Sequence, residues 1–133
     1  MEAVMFGITR AQWARSNMVT ALGSFITRRR ETGFQVGLLV HALAAVGFAM
    51  LYNFAMHRLG LAAMPTALMT GIGFGIIHGL LVSLALVWVI SDTHPLEDFR
   101  DAGFAVGFVH FVGHVAYGGV VGLVIGLGTL AGR

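Results

Sequence analysis

The chain of 133 residues is 57% hydrophobic and only 11% charged, less than half the charged share of an ordinary soluble domain (about 25%), which places it among membrane proteins. Its formal charge is only +2, which excludes the strongly basic face that nucleic-acid binding needs. It contains no cysteine, which excludes disulfides, thiolate metal sites and covalent c-type haem and leaves histidine, the carboxylates and methionine as ligand candidates.

Residues 1–32 are expected to form an amphipathic N-terminal helix and an Arg-rich cytoplasmic segment. Val4, Ile8, Ala11, Met18, Leu22 and Phe25 fall at helical spacing. Arg10 and Arg15 interrupt them, so a signal peptide is not expected here. A central arginine also costs about 2.5–3.5 kcal/mol in a spanning helix. The reading is therefore an interfacial helix with Trp13 near headgroup depth, or a degenerate fourth span. Arg28, Arg29 and Arg30 follow, a basic block that marks the cytoplasmic side of a membrane helix.

The first span is expected over residues 33–56. Gly33, Gly37, His41 and Ala45 share one i+4 row, and Tyr52, Asn53, His57 and Arg58 mark its far end, Tyr52 as part of an interface belt. The short link 59–66 returns the chain antiparallel into a second span, 67–90. Here Gly71, Gly75 and Gly79 form another i+4 row, with His78 beside it and Trp88 near the exit. The loop 91–103 holds four of the six carboxylates: Asp92, Glu97, Asp98 and Asp101. Pro95 with Glu97 and Asp98 reads as the first turn of a short interfacial helix. His57 and His94 are expected to sit solvated at the interfaces.

The third span is expected over 104–130. His110 and His114 are one turn apart, and steps of four from His114 reach Gly118, Gly122 and Gly126. Glycine ridges are where membrane helices approach closely, so the histidines that share or adjoin these ridges should face protein. With a rise of about 1.5 Å per residue, His41, His78, His110 and His114 fall about 12, 18, 9 and 15 Å from the cytoplasmic ends of their spans.

The fold class that follows is an all-α membrane protein, an antiparallel bundle of three transmembrane helices over 33–130, preceded by the interfacial helix. Six arginines lie near the N-terminal side of the membrane and two near the other, which puts the N-terminus in the cytoplasm. The expected location is the bacterial inner membrane, multi-pass.

Four histidines on three helices, within roughly two helical turns of one depth, admit three readings. Neutral imidazoles can hydrogen-bond one another or backbone carbonyls and hold helices together. They can be ligands, with His41, His78, His110 and His114 as candidates for copper, zinc or haem b, supported by Tyr117 and Asn53. They can also form a proton or ion path, although no carboxylate lies within any span. The His110-x-x-x-His114 pair lacks the intervening glutamate of a zinc protease. With no nucleophile or acid–base pair in the spans, an enzyme is the weakest reading.

Gly37-x-x-x-His41 with Tyr52, His78-Gly79, His94-Pro95 and Gly113-His114-x-x-Tyr117-Gly118 resemble the pattern of a family of small polytopic bacterial inner-membrane proteins of unknown function. Residues 21–30 resemble the segment that precedes the first of those spans, and the resemblance covers about residues 20–128. Members carry a further apolar N-terminal helix, which Arg10 and Arg15 interrupt here. His110 lies outside the pattern. The resemblance implies a membrane bundle and supplies no activity. The function expected from the residues is that of an accessory or structural subunit of a larger membrane complex, holding a metal or haem at the histidine layer. The rival is a homo-oligomeric transporter or channel that uses the histidines as a proton or ion path. Expected partners are the bilayer and other membrane subunits.

Overall fold

The computed structural model describes residues 18–100 and 104–132. The described residues are helical with no strand among them. They comprise α1 (Met18–Thr27), α2 (Gly33–Arg58), α3 (Thr66–Ala85), α4 (Ser91–Thr93) and α5 (Phe104–Ala131). A π-helical turn, Leu86–Ile90, continues α3, and a 3₁₀ turn, Glu97–Phe99, follows α4. Among the described residues, three helices are long and apolar enough to cross a membrane: Gly33–Arg58, Thr66–Ile90 and Phe104–Ala131. The protein is thus an all-α, multi-pass membrane bundle. The part of the amphipathic helix expected before Met18, with Trp13, Arg10 and Arg15, lies outside the described residues. So does the fourth-span alternative that rested on it.

Two helix ends are closed by backbone geometry that their sequences explain. Gly60 has φ +70°; its N–H donates to His57 O (3.3 Å), and Leu61 N–H donates to Met56 O (2.8 Å). That is a Schellman stop for α2, with glycine in the left-handed position. Helix α1 ends on Arg28, whose φ is +56°. Its N–H donates to Ser24 O at 2.8 Å, a simpler left-handed cap that an L side chain tolerates poorly.

The chain divides into two compact units, Met1–Ala44 with Ala85–Val109, and Ala45–Leu84 with His110–Arg133. In the first, α1 runs antiparallel to the start of α2, backbone against backbone. A Cβ on Gly33 would lie 2.8 Å from Thr20 O and 3.2 Å from Ser24 Cβ. Ser24 is fully buried and donates to Thr20 O at 2.7 Å, so its hydroxyl costs little inside the contact.

In the second unit, α3 and α5 run antiparallel through their glycines. A Cβ on Gly75 would stand 2.6 Å from His114 O, and one on Gly79 3.0 Å from both His114 Cβ and Phe111 O. Gly71 meets Gly118 and Gly122, and Gly122 meets Ala67, just as closely. Lipid tails are as apolar as leucine, so helix pairing in a bilayer draws on such close packing. Tyr52 and Met56 of α2 close the unit with Ala62 and Ala67, flanked by Phe74, Tyr117, Val121 and Ile125. Thr129 Oγ1 donates to Ala62 O at 2.8 Å and ties the end of α5 to the α2–α3 link.

Candidate functional site

The polar groups of the second unit gather on three helices. Helix α2 brings Tyr52, α3 brings His78, and α5 brings His110, His114 and Tyr117. The Tyr52 hydroxyl lies 3.1 Å from His78 Nδ1. The His78 ring meets His114 edge to face, with centroids 4.6 Å apart and planes at 72°. Phe48 covers the other side of His78 at 3.9 Å. His110 stands one turn from His114, centroids 6.3 Å apart. His114 Nδ1–H donates to His110 O at 2.8 Å, which fixes its tautomer and leaves Nε2 with the lone pair. Tyr117 O–H donates to Ala45 O at 2.5 Å and binds α5 to α2.

Of the candidate ligands, the structure brings His78, His110 and His114 together. His41 is not buried among the described residues: it is exposed on α2 and belongs to the first unit. The expectation of a protein-facing ridge fails there because the buried side of α2 changes along its length. Gly33 and Gly37 are buried in the first part and Tyr52 and Met56 in the second, and no single i+4 row contains all four. Asn53 is also exposed. Tyr52 is not an interface residue with a wet hydroxyl, as its position suggests; it is 5% exposed and bonded to His78.

Chemically, imidazole and phenol each offer a donor and an acceptor: Tyr52 and His78 bond each other, while His114 and Tyr117 donate to backbone carbonyls. No group of three or more His, Cys, Asp or Glu placed to hold a metal ion occurs among the described residues. The glycine ridges that would make room for a macrocycle between α3 and α5 are filled by the facing backbone, so no slot for haem lies between these two helices.

A second polar centre, in the first unit, is built around His94. The side chain is fully buried, in contrast to the solvated position its loop suggests. Its Nε2–H donates to Ala21 O at 3.0 Å, and Nδ1 accepts from Leu96 N–H at 3.0 Å. Phe25 and Phe99 pack on the ring at centroid distances of 5.7 and 5.0 Å. Arg100 Nε–H donates to the His94 carbonyl at 2.7 Å. Arg30 pairs with Asp98 and lies over the Phe99 ring. The loop 91–100 is therefore hooked onto α1 by a histidine. The sequence signal was present: Pro95 forces its predecessor into extended backbone, and His94 has ψ 132°, which turns it out of the helix.

Set against known protein families, curated proteins and solved structures, the chain matches none.

Proposed function

We propose that this protein is an accessory or structural subunit of a larger complex in the bacterial inner membrane, with its N-terminus in the cytoplasm. One observation carries the reading: His41 is exposed about a third of the way along the first span. A polar side chain inside a bilayer is costly and is normally covered by protein. Among the described residues nothing buries His41, so the surface around it suits a neighbouring membrane helix with a hydrogen-bonding group at matching depth. Tyr52, His78 and His114 then serve as hydrogen-bonded glue inside the subunit.

The rival reading, a homo-oligomeric transporter with a histidine proton path, draws support from the Tyr52–His78 bond and the His78–His114 ring contact. These contacts pass sideways from helix to helix, whereas a path must continue along the membrane normal.

Photo-crosslinking in native membranes separates the two. A crosslinker at Leu38, one turn from His41 on the same helix, is expected to capture one discrete partner of a mass other than this chain's, and His41→Leu is expected to abolish the adduct. An adduct of two copies of this chain assigns the homo-oligomer. Lipid adducts alone overturn both.

A further inference from the structure

We propose that Arg28 and Arg29 form a binding site for the phosphate of an anionic phospholipid. Three observations converge on this turn. The first is which charges remain available. Of the three consecutive arginines, Arg30 is committed to Asp98 and to the face of Phe99. Arg28 and Arg29 are exposed, and no carboxylate among the described residues pairs with either. Glu31, the nearest in sequence, is exposed and forms no ion pair among the described residues.

The second is rigidity. The turn joins two helices that touch backbone to backbone through Gly23, Gly33 and Gly37. It is fastened from within: Arg29 N–H donates to Thr27 Oγ1 at 3.3 Å, and Gly33 N–H donates to Arg30 O at 3.1 Å. Arg28 occupies the left-handed cap position where glycine is the easy residue. The turn thus accepts backbone strain and keeps a guanidinium there.

The third is height. Gly33 opens the first helix long and apolar enough to cross a membrane, so the two arginines directly precede the apolar stretch in the chain, where a spanning helix meets the headgroups. A planar guanidinium fork matches a phosphodiester with two parallel N–H donors, and anionic leaflets draw juxtamembrane arginine electrostatically. Two such forks on one stiff turn suit the phosphate of a single phosphatidylglycerol.

Native mass spectrometry of the full chain, released from nanodiscs of mixed phosphatidylcholine and phosphatidylglycerol, tests this. The wild type is expected to retain phosphatidylglycerol preferentially under collisional activation. The Arg28→Gln/Arg29→Gln variant is expected to lose the preference by about thirtyfold, about fivefold for each guanidinium. Arg58→Gln, which removes a guanidinium from the far end of the same span, is expected to leave it unchanged. Arg28→Lys/Arg29→Lys keeps the charges, guards against misfolding of the glutamine variant, and is expected to hold an intermediate preference. Equal retention of both lipids by the wild type overturns the proposal, as does an unchanged preference in the glutamine variant or an equal loss in Arg58→Gln. Stable binding of inorganic phosphate in pure phosphatidylcholine nanodiscs, without a phosphatidylglycerol preference, overturns it in favour of a soluble anion.

Discussion

The hydroxyl of Tyr52 on α2 and Nδ1 of His78 on α3 are hydrogen-bond partners at 3.1 Å, inside segments long enough to span the bilayer. Each supplies what the other lacks in hydrocarbon. Cross-helix polar pairs in membranes are worth about 0.6 kcal/mol on average and up to about 1.7 kcal/mol. A double-mutant cycle of Tyr52→Phe and His78→Phe, read by reversible unfolding in mixed micelles, is expected to give a coupling energy in that range. Additive single effects would mean that the bond contributes nothing beyond packing.

Glycine placement yields a sharper contrast. A methyl on Gly118 would drive into the backbone of Gly71 and Gly75, whereas Gly113 on the same helix has open space where its Cβ would go. Gly118→Ala is expected to destabilise the bundle by about 1–3 kcal/mol through overpacking. Gly113→Ala is expected to be neutral or stabilising by up to about 1 kcal/mol, from the better helix propensity of alanine. Thermal unfolding in one detergent, with both variants side by side, gives the comparison. Equal effects would mean that α3 and α5 do not meet through this ridge.

These two cases also mark how far the sequence can be read. Uninterrupted apolar runs and low charge make the three spans legible, because a bilayer tolerates few alternatives to a helix of that length. The i+4 glycine rows point to close packing, but which row faces which depends on the tilt and rotation of each helix, which spacing does not encode. Tyr52 and His41 are misread for that reason. A row of four extrapolated from Gly33 passes through His41 and Asn53, both exposed, and misses Tyr52, which is buried. His94 fails differently. A polar loop reads as solvated, and only the three-dimensional return of residues 94–99 onto α1 buries the imidazole between Phe25 and Phe99.

His94 is a fully buried side chain that fastens the loop to α1. His94→Ala removes the donor to Ala21 O and strands the Leu96 N–H, and it empties the space between two aromatic rings. The expected cost to loop docking is about 2–4 kcal/mol, from lost hydrogen bonds and a cavity together. The readout is local: tryptic cleavage after Arg100, whose Nε–H is held by the His94 carbonyl, is expected to accelerate in His94→Ala. His94→Asn is expected to lie between, since its amide can accept from Leu96 N–H without reaching Ala21. Unchanged cleavage in both variants would show that the hook does not hold the loop.

Arg28 offers a test in which stability and lipid binding move in opposite directions. Its φ of +56° carries a penalty of about 1–2 kcal/mol for an L side chain, which Arg28→Gly removes, less the greater chain entropy that glycine brings to the unfolded state. The cap bond from residue 28 N–H to Ser24 O is a backbone bond and survives the change. The net expectation is a gain of about 0.5–1 kcal/mol in unfolding free energy. One guanidinium near an anionic surface is worth about 1 kcal/mol, so the phosphatidylglycerol preference is expected to fall about fivefold in the same variant. A purely structural role for Arg28 predicts a change in stability alone. A variant that loses stability and keeps its lipid preference contradicts both the strained cap and the phosphate site.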